Sequence, residues 1–303
     1  MNLRRGTYSI VAHDPATGEL GVAVQSHWFS VGSIVSWARA GVGAVATQSI
    51  GEPAYGPRLL DRLAAGETPY DALAAELAGD ELERFRQVAV VDSAGRLAAH
   101  TGEGCMPYAG HEAGDAFSAQ ANLMASPQVW PAMAAAFRSA AGDALGRRLL
   151  AALDGAEAAG GDVRGRQSAA LLVVPAEGEP WRSTIDLRVE DAPDPLAELR
   201  RLLDLSDAYE LADRADTLAG EGRHQEAAEL YVRAAEAAPA NVELSFWAGL
   251  GIAAGGDLER GAERVRAALE AYDGWRDLLA RLDPEIAPAA QAVREALGVA
   301  REG

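Results

Sequence analysis

The sequence predicts an α+β domain followed by an all-α region. Three observations carry this. Short β-rich runs alternate with helical patterns up to about residue 190. Two of these runs, residues 7–12 and 19–26, flank the turn Asp14-Pro15-Ala16-Thr17-Gly18 in the pattern of a hairpin. From Asp194-Pro195 onward almost every stretch has a helical period. The expected boundaries are 1–203 for the mixed domain and 204–303 for the helical one.

A third strand is expected over 41–48, Gly41-Val42-Gly43-Ala44-Val45-Ala46-Thr47-Gln48. The loop 51–57 leads to a helix over 58–65, with Leu59, Leu60 and Leu63 on one face. Thr68-Pro69-Tyr70-Asp71 opens the next helix, with Thr68 as N-cap and Pro69 at the first position. Residues 86–92 and 96–100 form a hairpin around Ser93-Ala94-Gly95. Residues 101–115 read as a Gly-rich loop and 116–122 as a strand. Helices follow over about 127–137 and 143–159, the second burying Leu145, Leu149, Leu150 and Leu153. The loop 160–165 precedes strands over 168–174 and 183–189.

In the helical region, Leu218 and Ile252, Gly222 and Gly256, Ala228 and Ala262, and Ala234 and Ala268 match at a 34-residue period. Small residues at helix crossings and a glycine at each turn suit stacked helical hairpins. The pattern resembles tetratricopeptide repeats. A peptidoglycan-binding tail is the alternative for this region. The hairpins are expected to be separable from the mixed domain.

The chain has 303 residues, 49% of them hydrophobic, which suffices for a real core. No apolar run approaches the ~20 residues of a membrane helix. Residues 1–6, Met-Asn-Leu-Arg-Arg-Gly, lack the apolar stretch of a signal peptide. A cytoplasmic location is expected. A net charge of −18 argues against nucleic acid and against anionic membranes. The single cysteine, Cys105, excludes an internal disulfide. The sequence contains no lysine, so all 27 basic residues are arginine. Schiff-base and Ser–Lys chemistry are therefore excluded, while bidentate grip on carboxylates is not.

Several stretches resemble domain of unknown function 1028, a family grouped with the N-terminal-nucleophile hydrolases. They are Tyr8-Ser9-Ile10-Val11-Ala12-His13-Asp14-Pro15, Trp37-Ala38-Arg39-Ala40-Gly41-Val42-Gly43-Ala44-Val45-Ala46-Thr47-Gln48, and Tyr55-Gly56-Pro57. Further on are Arg86-Gln87-Val88, Thr101-Gly102 and Gly161-Asp162-Val163-Arg164-Gly165-Arg166-Gln167-Ser168-Ala169-Ala170. The resemblance covers roughly residues 7–203. It implies a four-layer α-β-β-α sandwich and an amidohydrolase that needs no cofactor or metal. The expected substrate is a small amide-like molecule. The helical tail is expected to serve a protein partner or self-association, and the protein is expected to be a homo-oligomer.

The resemblance makes Thr7 the candidate nucleophile, with its own freed α-amino group as base. In this sequence six residues precede Thr7, so exposure requires cleavage at Gly6-Thr7 or a start immediately before Thr7. The alternative is that Thr7 only begins a strand. Arg39 stands near the spacing of an activating lysine, but a guanidinium does not shuttle protons; an ion pair is the alternative. Ser26 and His27 suggest a nucleophile–base pair, although neighbours on a strand face opposite sides. Asn122 shares a face with Gln120, and its amide is a candidate oxyanion donor. His27, Gln48, Arg164 and Arg166 are candidate substrate contacts, the two arginines as an anion clamp or as a loop brace through Asp162. His100, Glu103, Cys105, His111 and Asp115 match no strong metal spacing, and Cys105 is a minor candidate nucleophile.

Overall fold

The computed structural model describes residues 6–301. The first hairpin pairs β1 (Thr7–His13) with β2 (Leu20–Ser26). Asp14 shapes the turn, its Oδ1 accepting from the Ala16 amide at 3.1 Å, and Gly18 takes φ +75°. Then come α1 (Gly32–Val35), β3 (Ser36–Arg39), β4 (Gly43–Ser49), α2 (Tyr55–Ala64) and α3 (Pro69–Ala78). They are followed by β5 (Arg86–Asp92), β6 (Leu97–Thr101), β7 (Gly110–Gly114), β8 (Phe117–Asn122), α4 (Val129–Ser139), α5 (Leu145–Ala158), β9 (Ser168–Val174) and β10 (Ile185–Val189).

Among the described residues the strands make two antiparallel sheets. One has the order β10-β9-β2-β1-β8-β7 and the other β3-β4-β5-β6. Strand alternation assigns each face. Val11, Val22 and Val24 of the larger sheet share a core with Ala44, Ala46, Ala89 and Val91 of the smaller one. On the outer face of the smaller sheet, Val45, Val88 and Val90 pack against Leu59, Leu60 and Leu63 of α2 and Leu73 of α3. Each such buried leucine contributes about 1.5–3 kcal/mol of transfer free energy. α4 and α5 cover the larger sheet, where Phe117 meets Phe137 at 4.7 Å between ring centroids. α5 approaches β2 so closely that a Cβ on Gly21 would lie 2.6 Å from Leu149 Cδ1.

Two strands depart from the sequence reading. β7 lies within residues 101–115, which read as loop. Its sequence, Gly-His-Glu-Ala-Gly, has no β-branched residue, and pairing with β8 rather than propensity makes it a strand. β3 is four residues long, too short for alternation to show in sequence. The Thr68 cap is present, with its Oγ1 accepting from the Asp71 amide at 3.2 Å.

A half-buried ion pair ties β5 to the segment after α3. Asp80 accepts from Arg86 Nε at 2.7 Å and from Tyr55 Oη at 3.0 Å. The hydrogen bonds from Arg86 hold the Asp80 carboxyl below the usual carboxylate range, against the opposing effect of burial. A depressed folded pKa stabilises fully above the unfolded value of about 3.9, and the contribution is lost as pH falls through the folded pKa. Asp80→Asn should therefore lower the melting temperature by a few degrees at neutral pH. Its difference from the parent chain should shrink as pH falls below the ordinary carboxylate range. Thermal melts of both chains across acid pH check this; a difference independent of pH would refute the assignment.

The chain divides into two compact units, one ending at Arg201 and one beginning at Leu202. The boundary falls within α6 (Pro195–Gly220). The second unit continues with α7 (His224–Ala237), α8 (Val242–Ala254), α9 (Leu258–Ala271), α10 (Gly274–Arg281) and α11 (Ala290–Leu297). Ala208, Ala212 and Ala215 pack with Ala227, Tyr231 and Ala234. Phe246 and Leu250 pack with Val265, Leu269, Leu279 and Val293. Gly222 and Gly256, 34 residues apart, have φ of +78° and +108° where α6 and α8 end. α8 and α9 touch through backbone, since a Cβ on Gly261 would lie 2.5 Å from the Gly249 carbonyl oxygen. Among the described residues no helix is long and apolar enough to cross a membrane.

Candidate active site at the polar end of the inter-sheet core

The space between the sheets is apolar at one end and polar at the other. Inward positions at the polar end hold Thr7 and Ser9 of β1, Ser26 of β2, Gln48 of β4, Gln87 of β5, and Ser118, Gln120 and Asn122 of β8. All are at most 3% exposed. Strand register sets Asn122, Thr7 and Ser26 in one row across β8, β1 and β2, continued by Ser168 of β9.

Buried polar groups cost stability unless paired, and these are almost completely paired. Ser9 Oγ donates to Gln48 Oε1 at 2.6 Å and accepts from Gln120 Nε2 at 2.7 Å. Gln48 Nε2 donates to Gln87 Oε1 at 2.7 Å and to the Thr7 carbonyl at 3.2 Å. Asn122 Nδ2 reaches Gln87 Oε1 at 3.0 Å and the Thr7 carbonyl at 3.4 Å. Gln87 Nε2 donates to the Ala121 carbonyl at 2.9 Å and to Thr101 Oγ1 at 2.9 Å. The buried Asn122 Oδ1 has no donor among the described residues. Ser49 and Leu123, directly after Gln48 and Asn122, have φ of +71° and +58°. Such backbone costs on the order of 1–3 kcal/mol per residue and collects at functional sites.

Thr7 sits at the mouth of this network. Its Oγ1 donates to Ser26 Oγ at 3.1 Å, and Ser26 Oγ donates to the Gly6 carbonyl at 2.5 Å. Arg164 Nη2 donates to the same carbonyl at 2.8 Å. Arg164 is itself gripped by the buried Asp162 carboxylate, at 2.7 and 3.0 Å. Asp162 closes over Gly6 so tightly that a Cβ there would lie 2.8 Å from its Oδ2. The carbonyl of the Gly6–Thr7 peptide thus faces two donors, one of them cationic, with the Thr7 hydroxyl beside them. Donors so arranged stabilise negative charge on that oxygen.

A small cavity of about 10 Å³ adjoins Thr7, with walls that include Trp28, Val31, Ile34, Val35 and Pro53. That is room for about one water. Among the described residues no charged side chain lines it. Ser168 fixes the loop carrying this wall, its Oγ donating to the Trp28 carbonyl and accepting from the Val31 amide at 3.0 Å.

Of the residues singled out from sequence, Thr7, Ser26, Gln48, Asn122 and Arg164 meet here. Arg39 does not. It pairs with Asp61 at 2.8 Å, and its strand partner Gly43 is five residues from Gln48, about 16 Å along β4. Arg166 lies on the helix side of the sheet. It contacts Glu157 at 3.3 Å and Asp194 at 3.0 Å, and Glu157 also accepts from Tyr8 Oη at 2.5 Å. Burial, reinforced by Glu157, pushes the Tyr8 hydroxyl well above its usual pKa. Ser26 points inward and His27 outward, so they form no pair. The His27 amide donates to Asp162 at 3.3 Å, while its exposed ring meets the Arg166 carbonyl.

Cys105 is buried, donates to the Arg86 carbonyl at 3.4 Å, and has its thiol pKa pushed up by burial. It is a poor nucleophile in this setting. His111 accompanies Thr101 at 2.9 Å, and burial, with His100 nearby, lowers its pKa. Among the described residues no three His, Cys, Asp or Glu side chains are grouped to hold a metal ion. Sequence reasoning missed Ser9 and Gln87 as partners of the site. It saw Asp162 only as a loop brace; its contact with Gly6 spans most of the mixed domain and has no local signature.

The family model described as "Family of unknown function (DUF1028)" matches residues 7–199. Among solved structures, protein SPO2555 of Silicibacter pomeroyi, itself matched to DUF1028, is 34% identical, with a TM-score of 0.59. The match covers 65% of this chain and 88% of that one. Anbu, an ancestral beta-subunit of Yersinia bercovieri, is 10% identical over 64% of this chain and 91% of that one. Its TM-score is 0.33. No curated protein matches the chain.

Proposed function

This chain belongs to the DUF1028 family of unknown function, and we propose that it is an amide hydrolase of the N-terminal-nucleophile type with Thr7 as nucleophile. The observation that carries the reading is the Gly6–Thr7 peptide, whose carbonyl accepts from Ser26 and Arg164 beside the Thr7 hydroxyl.

In the intact chain, Thr7 Oγ1 attacks the Gly6 carbonyl carbon. Charge gathers on the oxygen facing Ser26 and Arg164. The C–N bond breaks, a proton passes to the departing nitrogen, and Gly6 is left as an ester on Thr7. Water hydrolyses the ester, releasing the residues before Thr7 as a carboxylic acid. A start immediately before Thr7, with methionine removal, leads to the same mature chain.

The freed α-amine, with a pKa near 8, is a base usable near neutral pH. It takes the Thr7 hydroxyl proton as the oxygen attacks a substrate amide. The tetrahedral adduct collapses, the leaving amine takes that proton, and the ester on Thr7 is hydrolysed by water. Ser26 holds the Thr7 hydroxyl, and Asp162 with Arg164 sets the charge around the amine. The wall of Trp28, Val31, Ile34 and Val35 favours a small amide whose group beside the carbonyl is apolar and about the size of a methyl, because the cavity holds only about one water and an unpaired charge there would be costly. The reaction needs no cofactor. The cytoplasm is the working compartment in this reading, the protein is a homo-oligomer, and the helical unit, whose hairpins resemble tetratricopeptide repeats, serves a protein partner or self-association.

Intact mass of the full-length chain during incubation tests the first step. Loss of the residues before Thr7 is expected, with Arg164→Ala slowing it at least tenfold. Intact Met1 in a preparation that hydrolyses amides would overturn the Thr7 mechanism. A second reading takes its support from the 3% exposure of Thr7. In it the mixed domain is a non-catalytic scaffold acting through the helical tail. It predicts an uncleaved chain and no turnover.

A further inference from the structure

The unit beginning at Leu202 contains a groove of about 440 Å³, within the size of ordinary ligand sites. Its floor includes the small residues Ala212, Ala227 and Gly251, and Tyr209, Tyr231 and Trp247 stand around it. Four carboxylates line it: Asp213, Asp216, Glu243 and Glu285. Residues 202–303 include ten arginines, none of which lines the groove.

Two of the carboxylates are held by tyrosines. Tyr209 Oη donates to Glu243 Oε2 at 2.6 Å, and Tyr231 Oη donates to Asp216 Oδ1. Burial and then Asp216 raise the Tyr231 pKa, so it stays a neutral donor. Ile286, also lining the groove, is 72% exposed. The groove thus offers an apolar floor, aromatic rings and carboxylates, and among the described residues no arginine lines it.

We infer that this groove binds a cationic segment of another polypeptide. Lysine or arginine side chains meet Asp213, Asp216, Glu243 and Glu285 and the faces of the aromatic rings, while apolar side chains rest on the alanine floor and Ile286. A second copy of the chain is a poor occupant, because its net charge of −18 opposes the carboxylates of the groove. A small polycation would meet the carboxylates but leave the apolar floor uncovered.

The test is an array of short peptides of varied sequence, probed with the full-length protein. The bound set should be enriched in lysine or arginine next to leucine or aromatic residues. Asp213→Asn combined with Glu285→Gln should weaken the best peptides at least tenfold in solution, with an unchanged melting temperature. Binding should also weaken as salt rises. An array with no bound peptide, a bound set without basic enrichment, or equal binding by the double variant would overturn the inference. Displacement of the peptides by spermidine at equal concentration would overturn the polypeptide as occupant.

Discussion

A chain that begins at Thr7 should hydrolyse small apolar amides, and Thr7→Ala in that chain should lower kcat/KM by about a thousandfold or more. The alanine keeps the α-amine and removes only the hydroxyl and a methyl group. Its stability cost should stay within about 0.5–3 kcal/mol, because the lost hydrogen bond to Ser26, 3.1 Å long, is replaced by no unpaired charge. Thr7→Ser should keep a measurable rate. The parent rate should rise as pH increases through the amine pKa near 8, since the neutral amine is the base. Steady-state kinetics with melting curves on all three chains decide the matter. Thr7→Ala with parental activity would sink the mechanism, and a parallel collapse of its melting temperature would reassign Thr7 to packing. With the residues before Thr7 still attached, its nitrogen is a peptide nitrogen without basicity, so the uncleaved chain should be inactive toward added amides.

Gln87→Leu should cost the mixed domain about 3–5 kcal/mol, the range of the most severe single substitutions. Gln87 has the most hydrogen-bond partners in the buried network. Its Oε1 accepts from Gln48 and Asn122, and its Nε2 donates to Thr101 and to the carbonyls of Gly110 and Ala121. Leucine fills the volume but leaves these groups without a partner in a space water does not reach, at about 1–3 kcal/mol for each group that finds no other. Urea unfolding followed by a probe in the mixed domain measures the loss. A cost below about 1 kcal/mol would mean that the network repairs itself. Activity of the Thr7 chain should fall as well, because Gln48 and Asn122 hold the Thr7 carbonyl and lean on Gln87.

The β1–β2 hairpin, α2 and α3 with the Thr68 cap, the β5–β6 hairpin, α4, α5 and the helical unit were legible from sequence. Their signals are local: alternation in Tyr8, Ile10 and Ala12, the leucines of α2 and α5, glycines at turns. Thr7, Ser26, Gln48, Asn122 and Arg164 were legible as polar residues at element ends. What joins them was not. Gln48 and Gln87 meet across 39 residues, and Arg164 and Gly6 across 158. Such contacts follow from the strand order β9-β2-β1-β8 and from the facing of two sheets, which no local period encodes. The pairing of β3 with β4 leaves Arg39 beside the end of β4 remote from Gln48, although its sequence spacing from Thr7 suggested proximity. β7, with Gly-His-Glu-Ala-Gly, became a strand only because β8 offered unpaired backbone. Local propensity and turn chemistry set the elements; the pairing of distant backbone groups decided which side chains share the buried polar end.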